Sequence, residues 1–189
     1  MDIARSLRAE ARRTNERRLL VLAGDPNRTR ERAKAALDAA DIPSAETTVI
    51  GPEPFLDCEH HEQSRAEELL GRTRTAVVLD AHEELRPDAV GRTVGAVDGG
   101  GLYVLLAPPL DRWPEERDGF DASLAVPPFR VEDVTGHFRQ RFVETLRAHR
   151  GIAIVDANTD TIEQDGLTDP PPSRPVPAPT PPADSWFRS

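Results

Sequence analysis

The sequence contains very few of the residues that build disulfide bridges, metal centres and membrane spans. Its 189 residues include a single cysteine, Cys58, so no internal disulfide and no cysteine-based zinc site can form. It has no run of 18 or more apolar residues, the length that predicts a membrane-spanning helix. Residues 1–16 are charged throughout and lack the apolar region of a secretion signal. These absences favour a cytoplasmic protein without a membrane partner.

Lysine is also scarce, and the charge balance is acidic. Of the 24 basic residues only Lys34 is a lysine, the net charge is -9 and the isoelectric point is about 5.1. A chain this acidic is unlike a globally basic nucleic-acid binder. Arginine in place of lysine, together with excess acid, is typical of a GC-rich genome and a salt-rich cytoplasm, so the composition favours a halophilic archaeon. In such a protein the acidic residues serve solubility before they indicate a partner.

Short apolar runs alternate with helical segments along most of the chain. Strands of the type buried on both faces are predicted at residues 19–23, 47–50, 75–79, 102–107 and 152–155. Helices are predicted at residues 2–16, 26–40, 61–70, 87–97 and 131–149. Strands that alternate with helices form a parallel sheet covered on both sides. The sequence therefore predicts a three-layer, Rossmann-like α/β domain over residues 1–157, with a mostly parallel five-stranded sheet.

The composition changes at about residue 158. Between Pro170 and Pro182, eight of 13 residues are proline. Such a stretch cannot donate enough backbone hydrogen bonds for a helix or a sheet. Residues 158–189 are therefore predicted to be a disordered, proline-rich linker or tail. Trp186 and Phe187 are the bulky residues in it, and they could either dock on a neighbouring part of the protein or belong to a frayed end.

Three consecutive glycines, Gly99 to Gly101, invite comparison with a phosphate-binding loop. Such a loop follows a strand and opens a helix, whereas here a helix precedes and a strand follows. We therefore predict that the triplet ends the helix and turns the chain into the fourth strand. Neither G-x-x-x-x-G-K-[ST] nor a strand followed by G-x-G-x-x-G occurs, so the sequence supports no P-loop and no dinucleotide site. Gly91 and Gly95 share one face of the preceding helix and are predicted to let it lie close to the sheet.

Polar residues follow three of the predicted strands. Asp25, Asp80 and Asp156 lie at the carboxyl ends of strands, where open α/β sheets bind ligands, and His82 follows Asp80 closely enough to be a base that it orients. Three carboxylates at one edge could hold Mg²⁺. Aspartate is also common in turns, and Asp25 before Pro26 is typical of a helix cap. These four residues are crevice candidates, and neither a metal site nor a catalytic residue is predicted.

One basic cluster stands out near the amino terminus. It could contact an RNA backbone, or it could be a solvated helix face with local salt bridges. The absence of nearby aromatic residues for base stacking favours the second interpretation. The candidate RNA-contact residues are Arg5, Arg8, Arg12, Arg13, Arg17 and Arg18.

Several motifs occur in a characteristic order. A hydrophobic strand ends in Asp80-Ala81-His82, a glycine-rich turn follows, and the next strand runs into prolines and Trp113. In this order the motifs resemble the N-terminal domain of the tRNA(Met) cytidine acetyltransferases, archaeal and haloarchaeal ones in particular. The resemblance covers roughly residues 1–157. It rests on residues 76–91 and 99–109 with Trp113, and is supported by residues 18–25, 70–71, 137–142 and 151–156.

The resemblance implies a function for a larger protein. Full-length members of the family join this α/β domain to a helicase-like ATPase module and an acetyltransferase module. They acetylate the wobble cytidine of elongator tRNA(Met), or other RNA cytidines in some archaea, and use acetyl-CoA, ATP and Mg²⁺. None of the family's ATP-binding or acetyl-transfer residues has a matching position here, so no cofactor is expected in this chain.

The expected function is a non-catalytic accessory domain that packs against those two modules, with tRNA as a further candidate partner. Two alternatives remain open. One is a small magnesium-dependent enzyme that uses the strand-end aspartates. The other is a stand-alone RNA-binding protein that uses the arginine cluster.

Overall fold

Seven strands form one sheet in the computed structural model, which describes residues 2–168. They are β1 (Arg18–Ala23), β2 (Thr47–Ile50), β3 (Glu59–His61), β4 (Arg74–Asp80), β5 (Val97–Ala107), β6 (Ile152–Asp156) and β7 (Thr161–Gln164). Their order across the sheet is β3-β2-β4-β5-β1-β6-β7. All neighbouring pairs are parallel except β6 and β7. The mostly parallel sheet is confirmed, but the predicted number of five strands is wrong.

Five α-helices accompany the sheet. They are α1 (Asp2–Thr14), α2 (Pro26–Ala39), α3 (Pro87–Val94), α4 (Gly119–Leu124) and α5 (His137–Ala148). Helices α1 and α2 cover one face, while a 3₁₀ segment (Gln63–Leu69), Trp113, α3 and α5 pack on the other. No helix within the described part of the chain is long and apolar enough to cross a membrane. The proline-rich segment 170–182, Trp186 and Phe187 lie outside the described residues.

Apolar side chains alternate between the two faces along the central strands, as the strand period of two requires. On β1, Leu20 and Leu22 face α1 and α2, whereas Val21 and Ala23 face α5 and the Trp113 segment. All four are buried. Burying a leucine side chain stabilises the fold by about 1.5–3 kcal/mol, so the two half-cores fix which face each helix covers.

Both missed strands lie at the edges of the sheet. Strand β3 occupies part of the segment predicted to be a helix over 61–70, which is instead a strand to His61 followed by the 3₁₀ segment. Its residues are polar, and Arg74 of β4 holds it by an ion pair with Glu59. Strand β7 lies in the segment predicted to be a tail. The folded domain therefore continues beyond residue 157, as far as Thr168, whose backbone N–H donates to Glu10 Oε2 at 3.1 Å.

The glycines behave differently from the prediction. Helix α3 ends at Val94 and β5 begins at Val97, so Gly99 to Gly101 lie inside a strand as a bulge and do not form the predicted turn. A Cβ on Gly101 would lie 2.5 Å from the carbonyl oxygen of Thr75, so only glycine fits there. A Cβ on Gly91 would meet no atom within 4 Å, so the predicted close approach of the helix to the sheet is wrong.

The boundaries of the other helices differ by smaller amounts. The helix predicted over 131–149 begins only at His137, because a 3₁₀ turn (Val131–Asp133) and Gly136 precede it. Phe138, Phe142 and Leu146 do share one face of it as predicted, with Leu146 buried and the two phenylalanine rings stacked at 5.9 Å.

Candidate functional site

The turn after β1 is the place where an open α/β sheet would bind a ligand. Strand β1 lies between β5 and β6, and the chain leaves it for β2 on one side and later returns to β6 on the other. Ligands bind at such a switch point, outside the carboxyl ends of the strands. The residues that meet there are called the strand-end cluster below. They are Gly24, Asp25, Arg30, Asp80, His82, Asp156 and Asn158.

Asp80 is the buried anchor of the cluster. Its side chain is 0% exposed; Oδ1 accepts a hydrogen bond from His82 Nδ1 at 2.7 Å, and Oδ2 accepts one from Arg30 Nε at 2.9 Å. Burial alone would raise the pKa of Asp80, but the hydrogen bonds from His82 and Arg30 outweigh it and hold the pKa below its ordinary value. Asp80 is therefore a charged carboxylate whose two oxygens already accept hydrogen bonds from His82 and Arg30.

His82 connects two strand ends and is not free to act as a base. Its Nδ1 donates to Asp80, and its Nε2 donates to the carbonyl oxygen of Gly24 at 3.0 Å. Both ring nitrogens are thus taken up by protein oxygens, at 2.7 Å and 3.0 Å, and neither is open to a substrate.

Asp156 acts through its neighbour Asn158. The Asp156 Oδ1 atom accepts hydrogen bonds from the backbone N–H groups of Asn158, at 2.8 Å, and Thr159, at 3.0 Å. This turn presents the Asn158 side chain to the turn after β1, where its Oδ1 accepts the backbone N–H of Asp25 at 3.0 Å. A Cβ on Gly24 would lie 2.8 Å from the same oxygen. Asn158 therefore fills the space directly over that turn.

Asp25 occupies the predicted N-cap position of α2, followed by Pro26 at the first helical position. Its backbone is extended, as in other N-caps, but its side chain makes no capping hydrogen bond and is exposed. The structure thus brings Asp25, Asp80 and Asp156 to one edge, but their carboxylates do not share a common partner. No group of three or more histidine, cysteine, aspartate or glutamate side chains within residues 2–168 could hold a metal ion.

Two side chains of the strand-end cluster, those of Arg30 and Asn158, were missed by the sequence analysis. Arg30 lies one turn into α2, where nothing in its neighbours distinguishes it from other surface arginines. Asn158 falls where the linker was predicted to begin. The short motif Asp156-Ala157-Asn158 after a strand is typical of a side-chain-capped turn and is the signal that could have identified it.

The arginine cluster divides into buried and exposed members. Arg8 is 6% exposed, and its guanidinium donates to the carbonyl oxygens of Ala40, at 2.7 Å, and Asp41, at 2.6 Å, at the end of α2. Burial, with Arg12 nearby, lowers the pKa of Arg8. Arg18 is buried between Glu10 and Glu16, with 2.8 Å contacts to each. These two arginines hold the fold together and are not available to RNA.

The other four arginines are exposed. Arg5 donates to the carbonyl oxygen of Ala39 at 3.2 Å, and Arg17 donates to that of Val97. Arg12 and Arg13 lie on the last turn of α1, and neither forms an ion pair with another of residues 2–168. Together with Arg17, which also makes no ion pair within these residues, they are the members of the cluster that remain open to an anionic partner.

Comparison with known proteins identifies relatives. Residues 1–157 match the family model described as tRNA(Met) cytidine acetyltransferase TmcA, N-terminal. A curated protein named tRNA(Met) cytidine acetyltransferase TmcA, from Haloarcula marismortui, is 88% identical over 189 residues, which is 100% of this chain and 24% of that relative. Its namesake from Haloferax volcanii is 54% identical over 87% of this chain and 22% of the relative. One from Thermofilum pendens is 31% identical over 96% of this chain and 25% of the relative.

The chain spans about a quarter of the length of these curated relatives. Two of the relatives come from Haloarcula and Haloferax, which confirms the affinity with halophilic archaea that the composition predicts. The family model covers the same residues, 1–157, as the resemblance drawn from the motifs. The chain therefore belongs to the tRNA(Met) cytidine acetyltransferase family, in which it corresponds to the N-terminal domain.

Proposed function

We propose that this domain is a non-catalytic, accessory part of a tRNA(Met) cytidine acetyltransferase. In such a protein it packs against a helicase-like module that hydrolyses ATP and an acetyltransferase module that uses acetyl-CoA. The observation that carries the proposal is the state of the turn after β1. Asn158 and His82 occupy the two sides of that turn, where a ligand of an open α/β sheet would bind.

The polar groups of this turn are already committed to one another. Of the first two backbone positions where an anion could bind at this helix start, the N–H of Asp25 is bound to Asn158 and Pro26 has none. The guanidinium of Arg30, which could bind a phosphate, is held by Asp80 at 2.9 Å and lies 3.4 Å from Glu53. The strand-end cluster therefore supports a structural role.

The experiment compares three preparations: the full-length acetyltransferase, the same protein without residues 1–168, and this chain alone. Acetyl transfer from labelled acetyl-CoA to tRNA and ATP hydrolysis are measured at the salt concentration that keeps the proteins folded. We expect neither activity from this chain alone and weakened tRNA acetylation without the domain. Turnover by the chain alone would overturn the proposal.

A second candidate function is contact with the RNA backbone through Arg12 and Arg13. These exposed arginines lack a carboxylate partner within residues 2–168. Removing one phosphate contact reduces the slope of log K against log salt concentration by about 0.7–0.9. In the full-length protein, R12E/R13E should weaken tRNA binding and lower the salt slope by about 1.5. R28E/K34E is the matched control, because both residues are exposed on α2 and the charge change is the same. Equal effects of the two pairs would mean that only net charge matters.

A further inference from the structure

An apolar groove opens between α3 and α5 on the face of the sheet opposite α1 and α2. It encloses about 260 Å³. Its floor is formed by side chains of three central strands, and its walls by the two helices. The residues that define it are Leu19, Tyr103 and Ile152 on the floor and Val90, Val94 and Phe142 on the walls.

The groove exists because α3 is short. The helix has eight residues and packs mainly on the 3₁₀ segment 63–69, so it does not reach α5. Val94, its last residue, is left 41% exposed at the rim of the groove. On the other side Phe142 stacks on Phe138, which is 43% exposed, so the apolar surface continues beyond the groove. Adjoining apolar side chains of this kind make the groove a candidate interaction site, whereas single exposed apolar residues need no explanation.

The charged groups at the groove are all basic. Arg17, Arg18 and His149 lie at one end, and no carboxylate is among the described residues that line it. Arg18 is neutralised by Glu10 and Glu16, but Arg17 makes no ion pair within residues 2–168. A partner that complements this end carries an acidic residue next to its apolar side chain.

The last described residues lie at the edge of the sheet where the basic end of the groove is, since the side chain of Gln164 donates to the carbonyl oxygen of His149. The backbone N–H of Thr168 donates to Glu10, and Glu10 in turn contacts Arg18 at the end of the groove. The Haloarcula relative, of which this chain spans 24%, has a long further stretch of polypeptide. A covalently attached segment that begins near its binding site reaches a high effective concentration there, so even a small apolar contact is occupied.

We propose that the groove between α3 and α5 receives an apolar side chain, flanked by an acidic residue, from the remaining part of the acetyltransferase chain. This inference rests on the proposed function, since it names the surface through which the accessory domain packs against the rest of the protein. The occupant displaces water from Leu19, Tyr103 and Phe142 and places its carboxylate beside Arg17.

A photo-crosslinking amino acid at Val94 in the full-length protein tests the assignment directly. We expect a crosslink within the same polypeptide to a peptide outside residues 1–189, identified by mass spectrometry. Ile162 is the matched control: it is 52% exposed and is paired with Val155, whose side chain faces α1 and α2. A crosslink from Val94 to tRNA or to a second copy of the protein, or none at all, overturns the proposal.

Hydrogen exchange in the same full-length protein gives a second measurement. Val94→Arg places another cation at a basic groove and should displace the occupant. The amides of α3 then lose protection and should exchange at least about fivefold faster, whereas Ile162→Arg should leave them unchanged. Val94 is partly exposed, so this substitution does not disrupt the core. If removal of the domain leaves tRNA acetylation intact, the proposed function fails. If removal weakens acetylation but neither measurement at Val94 responds, only the groove assignment fails.

Discussion

Asp80 shows how one buried carboxylate can organise the turns of an α/β sheet. Asp80→Asn keeps the size of the side chain but leaves the charge of Arg30 without its anion. Breaking a buried ion pair in this way costs about 3–5 kcal/mol, and we expect a loss of that size in the free energy of unfolding, measured by denaturant titration at constant salt. Asp25→Asn is the control, because the Asp25 side chain is exposed and makes no capping hydrogen bond. A similar loss in both variants would contradict the structural role assigned to Asp80.

At this scale the sequence predicts the residues that belong to a strand end and misses those that arrive from elsewhere. Asp80 and His82 could be found because they follow a buried apolar run directly. The partners of this pair could not, because Arg30 comes from a helix whose position depends on the order of strands. Asn158 reaches Asp25 only because β6 lies next to β1, which no local pattern encodes.

At the scale of elements, alanine substitutions at Gly101 and Gly91 should change stability in opposite directions, because the first position is tightly packed and the second is an open helix position. We expect Gly101→Ala to lower the free energy of unfolding by at least ~2 kcal/mol, because its Cβ would lie 2.5 Å from a backbone oxygen that cannot move freely. Gly91→Ala should instead raise it by about 0.5–1 kcal/mol, because the position is an exposed helix interior with open space around it. Denaturant unfolding of both variants measures the difference. Two changes of the same sign would contradict the glycine bulge in β5.

Strand β3 is held at the edge of the sheet by the carboxylate of Glu59. A hydrogen bond from Arg74 outweighs burial and lowers the pKa of Glu59 from 4.5 to about 2. Because the folded-state pKa is depressed, the stabilisation is present above pH 4.5 and is lost as the pH falls towards 2. The difference in unfolding free energy between the parent and Glu59→Gln should therefore shrink over that window. Glu31→Gln, at an exposed position with a 3.9 Å contact to Arg28, should show no such change.

The edge strands also show why the element prediction stopped at five. Buried strands can be recognised in the sequence by continuous apolar runs, as at residues 19–23 and 102–107. An edge strand such as Thr161–Gln164 is exposed and has no such run, since its backbone pairing and not its side chains attaches it to the sheet. The prediction of a turn at Gly99 to Gly101 was wrong for a related reason. A register shift in a strand depends on the neighbouring strand, and sequence alone does not show which strand that is.

For the whole molecule, the order of layers was predictable and the limit of the domain was not. The alternation of strands and helices predicted a parallel sheet covered on both faces. The change of composition near residue 158 predicted a domain boundary there, but residues 158 and 168 still form hydrogen bonds with the domain. We expect a chain cut after Ala157 to be less stable than one cut after Thr168 by several kcal/mol. The shorter chain lacks β7, which pairs with β6, and Asn158, which holds the turn before α2. It also lacks the hydrogen bond from Thr168 to Glu10 of α1. Thermal and denaturant unfolding of the two chains measure the difference, and equal stability would place the boundary at 157 after all.

Hydrogen bonds between Asn158 and Asp25 and between Thr168 and Glu10 join the C-terminal part of the described domain to its N-terminal part. On the ribosome, α1 and β1 emerge first and then wait, because β5 and β6, on which they pack, are translated much later. Contacts so distant in sequence form slowly, and nascent chains that lack them expose apolar surface. We therefore expect the sheet to be completed only after residues 156–168 have been translated. A chain that stalls before that point would lack β7 and the contact of Asn158 with the turn after β1.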